Sequence, residues 1–115
     1  MKTLKIVKIG GNIINDTNHL NAFLQNFSQL EGPKILVHGG GKLATEVAQT
    51  MNIPVQMIDG RRITDAKTLD IVTMVYGGKI NKNIVAILQK YSCNAIGFTG
   101  ADGNTIQAKK EQSLR

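Results

Sequence analysis

With 115 residues, 42% of them apolar and no tryptophan, the chain can bury one small core built on Ile, Val and Leu. One cysteine excludes an internal disulfide, and the lack of both an 18-residue apolar run and a signal-peptide h-region excludes a membrane partner and points to a cytoplasmic protein. A net charge of +6 favours anionic partners, but the lysines are scattered, Arg61-Arg62 and Lys109-Lys110 are the tight basic pairs, and no aromatics interleave them, which argues against nucleic acid.

In chain order, Leu4 to Ile9 reads as a strand that stops at Gly10-Gly11. The polar cluster Asn15-Asp16-Thr17-Asn18 is N-cap chemistry, and Leu20, Phe23, Leu24, Phe27 and Leu30 then recur at helical spacing until Gly32-Pro33. Lys34 to Val37 is a second strand, running into His38-Gly39-Gly40-Gly41. The helix after it shows Leu43, Val47 and Met51 on one face and ends at Asn52-Ile53-Pro54. Two strand–glycine–helix units in succession predict an α/β fold with a mainly parallel sheet. Right-handed crossovers would bring both glycine turns to the carboxyl edge of that sheet, where ligands bind.

Val55 to Ile58 is a short strand candidate, followed by Asp59-Gly60-Arg61-Arg62. Thr64 reads as the next N-cap, with Asp65 in the first turn. A helix carries Leu69, Val72, Val75 and Tyr76, breaks at Gly77-Gly78, and resumes from about Ile80 to Lys90. Ala95 to Phe98 is expected as a strand, Asp102-Gly103 as a hairpin turn, and Thr105 to Lys109 as its return. A parallel sheet with so few strands leaves an open edge and face, so the unit reads as incomplete.

The two glycine turns carry the candidate chemistry. Glycine tolerates positive φ and lets backbone N–H groups come close to an anion, and a helix N-terminus behind the turn adds partial positive charge. Lys8 lies two residues before Gly10; alternation along the strand would bury it unless the strand end opens onto a site, and because an unpaired buried lysine is costly an anion above the sheet is the expected partner. Neither turn fits a common nucleotide fingerprint. Leu43 follows Lys42 where a P-loop needs a hydroxyl, and Ala44 stands where the dinucleotide pattern needs its last glycine. Cys93 and His38 read as packing and as a hydrogen-bonded structural histidine, Asp102 as a turn residue, and His19 as exposed; no metal site is expected.

Four blocks, Val-Lys-Ile-Gly-Gly (7–11), Val-His-Gly-Gly-Gly (37–41), Asp-Gly-Arg-Arg-Ile-Thr (59–64) and Gly-Phe-Thr-Gly-Ala-Asp-Gly (97–103), resemble the acetylglutamate kinases of the amino-acid kinase family. The resemblance implies an αβα sandwich and transfer of the γ-phosphoryl group of ATP, with its Mg2+, to the side-chain carboxylate of N-acetyl-L-glutamate or a related N-acylglutamate, a step of arginine biosynthesis. It implies that Lys8 stabilises charge on the transferred phosphoryl group. Gly10 and Gly11 would cradle phosphate, Gly40 and Gly41 the substrate, and Arg62 would grip the substrate's α-carboxylate, while Arg61 reads as a surface charge.

Family members are about twice as long and pair through the helix matching Asp65 to Tyr76, so residues 1–115 are expected to be the N-terminal substrate-binding part of a homodimeric enzyme. The C-terminal ATP-binding half is absent from the sequence, so the chain alone is expected to be inactive. The alternative is a non-catalytic binding or dimerisation module of the same fold. Without the leading helix of arginine-sensitive relatives, insensitivity to arginine is expected.

Overall fold

The computed structural model describes residues 3–109; Met1, Lys2 and the Lys110 of the second basic pair lie outside the described residues. Strand β1 (Lys5–Ile9) pairs in parallel with β2 (Lys34–His38), in a register that sets Ile6 beside Ile35 and Ile9 beside His38. The connection holds a short helix α1 (Gly11–Ile14), which the sequence reading did not foresee, and α2 (Thr17–Ser28). Asp16 caps α2 as expected, its carboxylate accepting from the His19 N–H at 3.0 Å. Leu20, Leu24 and Phe27 fill the core from this helix, while Leu30 beyond its end is exposed.

Helix α3 (Gly41–Thr50) follows β2, completing the second strand–glycine–helix unit. Its buried contacts are Ala44 and Ala48; Leu43 and Val47 flank them and Met51 is exposed, so small residues permit a closer approach than the expected Leu-Val-Met face. A hairpin then forms where none was expected: β3 (Gln56–Ile58) pairs antiparallel with β4 (Arg61–Ile63) across Asp59-Gly60. Both turn residues have positive φ, 50° and 75°, the backbone that two-residue hairpins demand and that Asp-Gly accepts.

Helix α4 (Ala66–Val72) starts from Asp65, whose carboxylate accepts from the Thr68 N–H at 2.8 Å, so the cap is Asp65 rather than Thr64. The expected break at Gly77-Gly78 does not occur. The chain widens instead into a π-helical segment (Thr73–Ile80) and runs on directly into α5 (Asn81–Lys90). Such widenings are rare overall and frequent at functional sites.

Ala95 to Phe98, expected as a strand, forms none and pairs with none of the described strands, and the expected hairpin at Asp102-Gly103 is a single 3-10 turn (Asp102–Asn104). Asp102 closes that turn on itself by accepting from both the N–H and the hydroxyl of Thr99, at 2.7 and 2.9 Å. Side chains of α5 take the place of a ladder for the extended segment: Gln89 Nε2, Lys82 Nζ and Asn81 Nδ2 donate to the carbonyls of Ala95, Gly97 and Phe98.

One buried cluster joins Ile9 to the helices, from Leu24 and Ala48 to Ile71, Ile84 and Leu88, and Cys93 packs against it. The opposite face of the sheet, with Ile6, Lys8, Ile35 and Val37, is exposed. The architecture is therefore an α/β unit with a parallel sheet open on one side. No helix among the described residues is long and apolar enough to cross a membrane.

Candidate functional site

Because β1 and β2 are parallel neighbours, Gly10-Gly11 and Gly39-Gly40-Gly41 leave the sheet side by side at its carboxyl edge. The first N–H groups of a helix have no intrahelical partner, and α3, whose N-cap is Gly40, has neither a side-chain cap nor an acidic residue in its first turn. That end of the helix is open to an anion.

The glycines differ in what they require. Gly10 has ordinary extended φ/ψ of −87° and 167°, and a Cβ there would meet nothing within 4 Å; Gly39 is equally unobstructed. Turn geometry therefore does not explain a glycine at position 10. A Cβ on Gly40 would stand 2.3 Å from Ile80 Cδ1 and 3.4 Å from the Tyr76 ring, and one on Gly41 would stand 3.3 Å from the Tyr76 hydroxyl. The second turn is thus seated on the π-helical segment. Hydrogen bonds from i to i+5 stack residues five apart, such as Tyr76 and Asn81, and both of these and Ile80 lie against the loop or the histidine before it.

Arg62 reaches this loop from β4. Its Nη2 donates to the Gly41 carbonyl at 2.8 Å and to the Thr45 hydroxyl at 2.9 Å, and Thr45 Oγ1 donates in turn to Gly41 O at 3.0 Å. One edge of the guanidinium is therefore fixed. Its Nε is buried without a hydrogen-bond partner among the described residues, a costly state for a cationic donor that an acceptor would relieve. Arg61 is exposed yet has a partner of its own.

The structure thus sets Arg62 against Gly41, the neighbour of Gly40, and places Gly10 and Gly11 at the adjoining strand end. Lys8 differs from expectation: it is exposed, on the same open face as Ile6, and no burial cost requires an anion beside it. Among the described residues no three His, Cys, Asp or Glu side chains converge as a metal site would need.

His38 is hydrogen-bonded on both ring edges, Nδ1 to the Gly39 carbonyl at 2.9 Å and Nε2 to Asn81 Nδ2 at 3.1 Å. Sequence reasoning passed over Tyr76, Ile80, Asn81 and Thr45. The one trace of them was Gly77-Gly78, read as a break although it marks the widened turn.

The amino acid kinase family model matches residues 3–115 of the chain. The chain belongs to the amino acid kinase family. Among curated relatives in this family, the acetylglutamate kinase of Cytophaga hutchinsonii is 61% identical over 110 residues, covering 96% of this chain and 42% of the relative. That of Phocaeicola vulgatus is 56% identical over 107 residues, covering 93% and 42%. The chain therefore spans well under half the length of these relatives.

Solved structures give the same fold. The smu.665 protein of Streptococcus mutans superposes with a TM-score of 0.64 at 22% identity, over 77% of this chain and 37% of that one. N-acetylglutamate synthase from Neisseria gonorrhoeae, solved with coenzyme A and N-acetyl-glutamate, gives 0.62 at 22% identity, over 78% and 22%. At such identity the likeness concerns fold alone.

Proposed function

We propose that this chain is the substrate-holding part of an acetylglutamate kinase, an enzyme that moves the γ-phosphoryl group of ATP to the side-chain carboxylate of N-acetyl-L-glutamate or a close N-acylglutamate. The observation that carries the reading is Arg62: one edge is tethered to Gly41 and Thr45, and its buried Nε has no hydrogen-bond partner among the described residues, beside the glycine turn that follows β2. A planar cation held this way suits a carboxylate, and lysine would not replace it.

In this reading Arg62 binds the α-carboxylate and the N–H groups around Gly40 and Gly41 hold the rest of the substrate. The side-chain carboxylate oxygen attacks the γ-phosphorus in line, the bond to the β-phosphate oxygen breaks, and ADP leaves an acyl phosphate. Such a transfer needs positioning and charge stabilisation more than covalent help. Lys8 and the N–H groups at Gly10 and Gly11 face the transferred phosphoryl group. These groups are donors and a cation, which fit phosphate oxygens; Mg2+ would arrive on the nucleotide.

Two copies pair through the exposed apolar side of α4 and the π-helical segment, which shows Leu69 and Met74. A cytoplasmic location follows from the use of ATP and from the free Cys93.

The test is to incubate the natural gene product carrying this chain with ATP, Mg2+ and N-acetyl-L-glutamate, and to trap the acyl phosphate with hydroxylamine. Hydroxamate that depends on the acylated amino acid is the expected result. Binding of acetylglutamate without ADP release would favour the non-catalytic module, and no binding would sink both.

A further inference from the structure

We propose that Asn81 is a positioning residue for the glycine loop after β2, acting by holding His38 in a single tautomer. Its role toward substrate rests on the kinase reading above; its role toward His38 does not.

Asn81 is 7% exposed, so its amide must find partners inside the protein. Lys82 Nζ lies 2.9 Å from Oδ1, and an ammonium can only donate, so the atom it meets is the amide oxygen. The amide nitrogen then faces His38 Nε2 at 3.1 Å and the Phe98 carbonyl at 3.3 Å. On the other edge of the ring, Nδ1 meets the Gly39 carbonyl at 2.9 Å, and a carbonyl can only accept. Nδ1 therefore carries the hydrogen, and Nε2 offers a lone pair to Asn81. Both edges demand the same tautomer, assigned here from the partners.

The bond from Nδ1 fixes the direction of the Gly39 carbonyl. No peptide bond among the described residues is cis, and in a trans peptide the C=O and the next N–H point opposite ways. Holding Gly39 O against the imidazole therefore sends the Gly40 N–H away from it. With Asn81 lost, only the Gly39 carbonyl still favours the Nδ1–H form, and part of the population moves its hydrogen to Nε2. Nδ1 would then set a lone pair against the Gly39 oxygen, and the 39–40 peptide would be free to turn a carbonyl to where the N–H had stood.

The site leaves no slack around Asn81. A Cβ on Gly97 would lie 2.0 Å from Asn81 Oδ1, so a glycine is needed there for the amide to fit. Lys82 also donates to the Gly97 carbonyl at 3.0 Å, which ties the extended segment to the same residue pair.

The experiment is a 15N spectrum of the imidazoles in the natural gene product, read beside steady-state kinetics with N-acetyl-L-glutamate. The wild type is expected to show His38 as the Nδ1–H tautomer. Asn81→Leu, close in size but without donor or acceptor, should give a mixture and raise KM for acetylglutamate about tenfold with a smaller change in kcat. Lys82→Met keeps the exposed stem and removes the group that orients the amide. It should act in the same direction, more weakly, even if Asn81→Leu fails to fold.

A wild-type spectrum showing Nε2–H would overturn the proposal outright. So would an unchanged KM in a variant whose tautomer has become mixed. Absence of both turnover and acetylglutamate binding in the wild type would sink the kinase reading and the substrate role of Asn81 with it, leaving the tautomer spectrum to judge the strut by itself.

Discussion

At the scale of single residues, the glycines separate those that serve packing from those that serve a ligand. Gly40→Ala places a methyl group 2.3 Å from a buried isoleucine, and overpacking of this kind costs about 1–3 kcal/mol. It is expected to lower the unfolding free energy by that amount, read from the fall in the denaturant midpoint. Gly10→Ala meets open space and an ordinary backbone, so stability should stay within about 0.5 kcal/mol while KM for ATP rises. Equal losses of stability in the two variants would remove the distinction. At Arg62 the planar fork matters as well as the charge. Arg62→Lys cannot bond Gly41, Thr45 and a carboxylate at once, and it is expected to raise KM for acetylglutamate by at least about tenfold, seen in initial-rate kinetics. That site was half legible in advance. Position 62 could be named from its motif, but its tether to Thr45 spans 17 residues and leaves no periodic trace.

Among the elements, α2 and the 3-10 turn depend on carboxylates whose charge is stabilised locally. The His19 backbone N–H holds the Asp16 carboxyl below its usual range, against a smaller opposing effect of desolvation, and the Thr99 N–H followed by its hydroxyl does the same for Asp102. A lowered folded pKa means that the unfolded chain binds the proton more tightly. The stability each group adds is therefore complete above the unfolded pKa, near pH 4, and is lost as pH falls through the folded value. Acid titration followed by circular dichroism should show helix loss setting in below about pH 4. Asp16→Asn, which caps without ionising, should blunt its share.

The elements also show where pattern reading fails. Ala95 to Phe98 has the alternation of a strand, but a ladder needs a neighbour and none of the described strands flanks it. Of the two Asp-Gly pairs, only Asp59-Gly60 is flanked by segments free to pair. Asp102-Gly103 is captured by Thr99 before a hairpin can form.

For the molecule as a whole, the open sheet face is the dominant fact. Ile6, Ile35 and Val37 are 66%, 48% and 45% exposed on one face of two adjacent strands, interrupted by Lys8 beside Val37, an apolar surface of the kind that marks a contact site. The radius of gyration of 15.7 Å exceeds the roughly 13 Å of a compact domain of this length. Produced as these 115 residues, the chain is expected to bind a hydrophobic dye and to self-associate, and Ile35→Lys with Val37→Thr should reduce both in scattering and fluorescence assays. If the double variant binds as much dye as the parent, the sheet face is not the surface responsible.

The sequence by itself determined what local forces decide: the strand–glycine–helix units, their parallel order, the Asp16 cap and the apolar face of α2. Each follows from periodicity, capping chemistry or the shortness of a glycine turn, and together with the four motif blocks they placed the chain in its family. Only the tertiary structure decided which Asp-Gly became a hairpin, that the helix widens through Gly77-Gly78 instead of breaking, and that Asn81, His38 and Gly39 form one hydrogen-bonded line. Those outcomes depend on which distant group is within reach of a donor or acceptor, and spacing along a chain carries no record of that distance.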